Sequence, residues 1–356
     1  ILGYLFAGII IGPFVLGFVG EEGEDILHIA EFGVVMMLFL IGLELDPYKF
    51  WKMRKFIVGM GFLQMLGTVV LVIPGLYFLL GWSWQSAMAV ALALGLSSTA
   101  IVLQTLKEKG LSQSSVGRSS FAVLLFQDIA VIPILAILPL LATGQATTNE
   151  ATHSSFIADF PGLLQTLVVI GAIAAVYFGG KYLIVPLLRM VARTRLQELF
   201  TASALLLVVA VSYLMQLVGL SPALGAFLAG VVLANSEFRH ELEGDIAPFK
   251  GLLLGLFFIA VGASINFGLI VDNPMFILLF VLLLTLAKLL VLLVVGRVYK
   301  LQQDQNVLFS LGLSQAGEFG FVIMGFSAEL DILPKEIANQ IMAIIAISML
   351  LTPFLL

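Results

Sequence analysis

Runs of about 20 apolar residues follow one another along the chain, separated by short polar joints. A helix of that length crosses a hydrocarbon layer of ~30 Å with every backbone group bonded internally. A membrane β-barrel would instead alternate apolar and polar positions in segments of about 10 residues, a pattern this chain lacks. The pattern predicts an all-α polytopic membrane protein with about 12 helices. They fall near residues 1–19, 27–45, 55–80, 85–107, 117–142, 161–187, 197–218, 221–236, 248–266, 273–297, 305–328 and 335–356. Basic residues gather in alternate joints: Lys49, Lys52, Arg54 and Lys55; Lys107, Lys109 and Arg118; Arg189, Arg193 and Arg195; Arg239 and Lys250; Arg297 and Lys300. Those joints should face the cytoplasm. The intervening joints, EEGED at 21–25 and TTNEATHSSFIAD at 147–159, are almost free of Lys and Arg and face outward, which puts the C-terminus inside.

Certain words recur in order. LGYLFAGIIIG from Leu2 returns as LGAFLAGVVLA from Leu224, LFLI at 38–41 as LFFI at 256–259, and LGLS at 94–97 as LGLS at 311–314. Three ordered matches at nearly one offset argue for internal duplication. The copies begin at helices one and eight, and an odd separation inverts the second copy in the membrane, as in secondary transporters. The expected organisation is repeat one at about 1–143, connecting helices at about 144–218, and inverted repeat two at about 219–356. Such repeats give two related conformations, one open to each side, around a site near the midplane.

Composition sharpens this reading. The chain is 61% hydrophobic and 11% charged, with a mean hydropathy of +1.13, too apolar for a soluble globule. The net charge of −5 says less than the placement of the charges. Without cysteine there is neither a disulfide framework nor a thiolate metal site. No GxxxxGK[ST] loop is present, which excludes a primary pump driven by nucleotide at this chain. His28, His153 and His240 sit in joints without metal-ligand spacing. Ile1 already lies in an apolar run, so the numbering is expected to start after a further segment. Gly8–Gly12 and Gly251–Gly255 form GxxxG pairs, expected to be packing faces.

A charge at the bilayer centre costs about 2.5–3.5 kcal/mol on insertion scales, so each such residue is a functional candidate. Asp128 in LLFQDIAVIP, Lys288 in LTLAKLLVLL and Glu318 in SQAGEFGFV are three. Each either pins helices together through an internal pair or handles the transported ion, and for Lys288 both readings stand, with Glu318 or Asp128 as its expected partner. Asp128 follows Gln127, an amide with an oxygen to offer, and Pro133 lies about a turn and a half on, where it frees a backbone carbonyl. Carboxylate, amide and carbonyl oxygens are hard ligands suited to an alkali cation. The LGLS words open polar patches, Ser97, Ser98 and Thr99 in one copy and Ser314 and Gln315 in the other. If the helices break and cross there, their termini would bring N–H dipoles and free carbonyls beside Asp128. The hydroxyls could equally bond back to their own turns.

GYLFAGIIIGPFVLG, FGVVMMLFLIGLELDP, LGLSSTAIVLQ, GRSSFAVLLFQDIAVIP, LSPALGAFLAGVVLANSEFRHELEGDI and APFKGLLLGLFFI together resemble the KefC-type potassium efflux systems of the monovalent cation/proton antiporter superfamily. The resemblance covers the whole chain, minus the family's first helix and its soluble C-terminal domain. It implies a dimeric, 13-helix, elevator-type potassium/proton antiporter of the inner membrane. In it Asp128 binds potassium or a proton in turn, Gln127 lies beside it, and the crossing segments Ser97–Thr99 and Ser314–Glu318 complete the site. Helices one and eight would build the dimer scaffold. The resemblance also implies that the acidic joint at 240–249, with His240, Glu241, Glu243 and Asp245, is a regulatory loop. Nucleotide and glutathione would bind the C-terminal cytoplasmic domain, with an ancillary cytoplasmic subunit as a further partner. No cofactor and no nucleic acid is expected at this chain. Related sodium exchangers carry Asn-Asp or Asp-Asp where Gln127-Asp128 stands, which favours potassium. The competing classes are a ligand-gated potassium channel and a sodium/proton antiporter.

Overall fold

The computed structural model describes residues 2–13, 15–18, 33, 35–36, 38–40, 42–43, 47–142, 171–172, 174–176, 178–194, 196–217, 222–234, 236–264 and 274–355. His28, His153, the 21–25 and 147–159 joints, most of the predicted helix at 27–45 and the first ten residues of that at 161–187 lie outside them. Chain contacts divide the protein into two units, one of residues 1–22, 50–143 and 261–356, the other of residues 23–49 and 144–260.

The first unit holds α1 (Leu2–Ile11), most of α2 (Pro47–Pro74, continued by a π turn at Gly75–Leu79), α3 (Trp84–Gly95), α4 (Thr99–Glu108) and α5 (Ser115–Leu141). It also holds α10 (Pro274–Val298), α11 (Gln303–Leu313), α12 (Phe319–Glu329) and α13 (Lys335–Leu355). The second holds α6 (Val185–Ala192), α7 (Gln197–Leu217), α8 (Pro222–Ala234) and α9 (Arg239–Ser264), whose last residues join the first unit. The predicted single helices at 85–107 and 305–328 are each two half-helices, broken at Leu96–Ser98 and Ser314–Glu318. Among the described residues, α2 with its π turn, α7, α10 and α13 are long and apolar enough to cross a membrane alone. Helix α5 is a fifth if its two arms count as one span; they bend by 43° around Ile132, next to Pro133, whose ring displaces the preceding turn.

Burial shows how an apolar helix is oriented when its surroundings are apolar too. On α10, Ile277, Val281, Leu284, Lys288, Leu292 and Val295 are buried at spacings of four and three, while Leu278, Leu282, Leu286, Leu290 and Val294 are exposed. Both faces are greasy, so leucine content cannot distinguish them; Lys288 can. Lipid is as apolar as leucine, so close packing and hydrogen bonds hold such helices together. In the first unit, Met60, Val102, Leu124, Leu292, Phe309 and Leu313 join α2, α4, α5, α10 and α11 in one buried cluster. Glycines allow the closest crossings. A Cβ on Gly12 would lie 3.1 Å from the Ala263 Cα, and one on Gly262 would run into the Leu5 carbonyl. In the second unit, a Cβ on Gly42 would meet the Phe227 carbonyl and one on Gly230 the Phe39 carbonyl.

Two expectations need correction. The joint at 240–249 is helical: α9 starts at Arg239 and runs through Gly244 and Pro248. Leu242 and Ile246, four apart and both fully buried, fasten this turn to the second unit despite its breaker residues, and Glu241 suits the positive end of the helix. A Cβ added to Gly251 would meet no atom within 4 Å among the described residues, so Gly251 is not a close-packing position; Gly262 is.

Candidate ion-binding site

The site is built where the two broken helices meet, entirely within the first unit. After Gly95 the chain turns extended at Leu96 (φ −74°, ψ 152°) and is extended again at Ser98 (φ −77°, ψ 109°), whose hydroxyl caps α4 by accepting the Ile101 N–H at 3.4 Å. A capping serine can end one half-helix and start another without proline. In the second copy α11 ends at Leu313 and α12 begins after Glu318, with a short turn made by the Gly320 N–H to the Gly317 carbonyl at 3.0 Å. The breaks touch. A Cβ on Gly317 would lie 2.5 Å from the Ser97 carbonyl oxygen, so only glycine passes there. The Ser97 hydroxyl donates to the Leu313 carbonyl at 2.8 Å and ties the segments directly.

Lys288 is the clasp. Its ammonium donates to the Leu96 carbonyl at 2.6 Å, the Gln315 carbonyl at 2.5 Å and the Ser97 hydroxyl at 3.1 Å, so it reaches acceptors in both breaks. Each half-helix that ends at a break presents orphan carbonyls and the negative pole of its dipole. A cation with three donors satisfies both poles at once. The expected pairing of Lys288 with Asp128 or Glu318 is therefore replaced by neutral oxygens, because broken helices supply acceptors that intact ones do not. Lys288 is fully buried.

Gln127 is equally committed. Its Oε1 accepts the Ser97 N–H at 2.9 Å, and its Nε2 donates to Gln64 Oε1 at 2.7 Å and to the Gly95 carbonyl at 3.2 Å. Gln64 Nε2 donates to the same Gly95 carbonyl at 3.0 Å and to the Thr68 hydroxyl at 3.2 Å. The amide expected to offer oxygen to an ion instead fixes the first break. Gln64 and Thr68, fully buried on α2, belong to this network, and hydropathy alone does not single them out; an amide and a hydroxyl four residues apart in GFLQMLGT are the available signal. The second break has its own support. Ser348 accepts the Ala316 N–H at 3.2 Å, the Thr352 hydroxyl donates to Gln315 Oε1, and Gln315 Nε2 has no partner among the described residues.

The carboxylates occupy the opposite poles. Asp128, 7% exposed, accepts a hydrogen bond from the Thr99 hydroxyl at 2.9 Å, and Thr99 is the first residue of α4. Glu318, 4% exposed, is the N-cap residue of α12. Anions at the two half-helix N-termini and the cation at the two C-termini match the dipoles throughout. Ser97, Ser98, Thr99, Gln127, Asp128, Lys288, Ser314, Gln315 and Glu318 thus fall in one neighbourhood. His240, Glu241, Glu243 and Asp245 lie in the second unit, where Thr201 donates to Asp245 at 2.7 Å and His240 lies 3.8 Å from Glu243. Among the described residues no group of three or more His, Asp or Glu is arranged to hold a metal ion.

Two broken helices thus meet beside a buried aspartate. Residues 1–356 match the family described as sodium/hydrogen exchanger, transmembrane. The chain belongs to that exchanger family. It is 48% identical to a glutathione-regulated potassium-efflux system protein KefC of Klebsiella pneumoniae and 49% identical to one of Salmonella typhi, over 100% of this chain and 56% of each relative. The chain therefore spans about half the length of the curated relatives it matches. Its fold is similar to that of the sodium proton antiporter MjNhaP1 from Methanocaldococcus jannaschii, with a TM-score of 0.67 at 16% identity, over 100% of this chain and 88% of that one. A second structure of MjNhaP1, at pH 8, gives 0.62 over 99% and 89%. Among the described residues every regular element is a helix, as the sequence predicts.

Proposed function

We propose that this chain is the membrane exchanger of a potassium/proton antiporter, with Asp128 as the group that holds either potassium or a proton. The observation that carries this reading is the division of labour at the crossing. Lys288 and Gln127 are spent on backbone groups, and Asp128 is the carboxylate beside a half-helix N-terminus with a hydroxyl partner. Thr99 and the Asp128 carboxylate supply hard oxygens, and Ser97, Ser98, Ser314 and Gln315 shape the crossing around them. Glu318 is a second buried acid at the matching pole of the other copy. The Gln127-Asp128 pair, and the likeness to relatives named potassium-efflux systems, favour potassium; the family description and the fold of a sodium antiporter make sodium the competing ion.

The inverted duplication is supported by the placement of both breaks and of the glycine crossings. Gly8 and Gly230 occupy matching places in the LFAG and FLAG words, and Gly8 faces Gly262 in the first unit as Gly230 faces Gly42 in the second. Alternating access is then a rigid movement of the broken-helix bundle against a scaffold, the elevator mechanism, in a homodimer in the inner membrane with its C-terminus cytoplasmic. Gating would come from a cytoplasmic regulatory domain, with nucleotide and glutathione as its ligands and an ancillary subunit as its partner. The turn at His240, Glu241, Glu243 and Asp245 would be the contact on this chain. In proteoliposomes holding a trapped pH dye, an outward potassium gradient should acidify the lumen by counter-movement of protons, several-fold faster than an equal sodium gradient. Equal rates for both ions would reject potassium selectivity, and potassium flux without proton movement would indicate a channel.

A further inference from the structure

At the end of the first unit that carries basic joints, a cavity of about 460 Å³ opens between α2, the start of α5 and the turn from α10 to α11. Arg118 and Lys300 both line it, and no carboxylate does; Asp304, in the first turn of α11, is not on its wall. Neither cation forms an ion pair among the described residues. Ser119, 2% exposed, also lines the cavity. Phe56 and Tyr299, packed edge to face with ring centroids 5.5 Å apart, form an aromatic wall.

Arg118 is placed against the electrostatic preference of its helix, and Lys300 against the preference of its backbone. Arg118 lies in the first turn of α5, at the positive end of that helix, where an anion is favoured. Lys300 has φ of 58°, a left-handed conformation, at the end of α10, where the Leu301 N–H bonds back to the Gly296 carbonyl at 2.9 Å. That is the position a helix end ordinarily gives to glycine. The start of α11, next in the chain, adds further orphan N–H groups. Two side-chain cations and the starts of α5 and α11 bring positive potential to one cavity whose lining side chains include no carboxylate.

We propose that this cavity binds the phosphate of an anionic lipid headgroup. Arg118 supplies the planar fork, Lys300 a point charge and Ser119 a hydroxyl donor. The aromatic wall, at a membrane-helix end, suits the glycerol and first acyl carbons of a lipid rather than a bare ion. A cation-lined pocket between membrane helices on the basic side is the physical form such sites take.

The test compares the wild-type protein with the double variant Arg118→Gln, Lys300→Gly by native mass spectrometry and thermal melting. Phosphatidylglycerol, phosphatidylcholine and inorganic phosphate are the probes. Lys300→Gly removes the charge and relieves the left-handed strain, so the variant should melt no lower than wild type in phosphatidylcholine. Wild type should retain phosphatidylglycerol about tenfold more tightly than the variant, with no difference for phosphatidylcholine. Arg193→Gln, an exposed cation elsewhere, should bind like wild type. Equal retention by the double variant and wild type, or an equal loss in Arg193→Gln, would overturn the site. Displacement of the lipid by millimolar inorganic phosphate would overturn the lipid as the source and leave a free-phosphate site.

Discussion

Asp128→Asn should stop potassium-driven proton exchange, reducing it to the level of protein-free vesicles, while the protein still folds and melts normally. The two side chains have nearly the same shape, and the Asn carbonyl oxygen can accept the Thr99 hydroxyl as Asp128 does at 2.9 Å. The backbone of both breaks is held by Lys288, Gln127, Gln64 and Ser97, none of which depends on the Asp128 charge in its bonds to Leu96, Gln315, Gly95 and Leu313. What changes is electrostatic. A cation about 3 Å from a carboxylate gains ~5 kcal/mol at an effective dielectric of ~20, over three orders of magnitude in affinity. The amide forfeits that attraction and cannot release a proton. Flux like wild type, from a variant with an unchanged melting temperature, would place the exchange site elsewhere.

Lys288→Ala should be the most destabilising single change in the first unit. It removes three donated hydrogen bonds and leaves the Leu96 and Gln315 carbonyls buried without that donor. Each orphaned group costs about 1–3 kcal/mol, and two half-helix C-termini would then face each other without a cation between them. A loss of about 3–5 kcal/mol follows, a fall in melting temperature of ~5–10 °C. Lys288→Gln, with two donors, should recover part of it. An unchanged melting temperature for Lys288→Ala would show that the crossing does not rely on the ammonium.

The repeated LGLS words locate both breaks, and the cost of a buried carboxylate locates Asp128, because each rests on one-dimensional information: order, spacing and polarity. The partners are harder to read. Opposite charges are expected to pair, which assigns Lys288 to Asp128 or Glu318, yet the break between α3 and α4 creates a carbonyl acceptor at Leu96 that no residue type announces. Gln127 looks like an oxygen donor to the ion, but an amide has two ends, and the Ser97 N–H and Gln64 occupy them. Gln64 itself is hidden inside a long apolar run. Gly244 and Pro248 suggest a loop at 240–249, where burial of Leu242 and Ile246 outweighs the local breakers. The all-helical class follows from hydropathy; which face of α10 turns inward follows from one lysine.

Competition between potassium and a proton at Asp128 is the centre of this account. In the proposed mechanism Gln127 is neutral and Lys288 is bonded to neutral oxygens, and Asp128, bonded to Thr99, exchanges one ligand for the other. Potassium added to the detergent-purified protein in weak buffer, over a series of pH values, should displace a proton that a dye or pH electrode can count. The release should approach about one proton per potassium bound at low pH and vanish in Asp128→Asn. Potassium binding with no proton released at any pH, or the same release from Asp128→Asn, would contradict it.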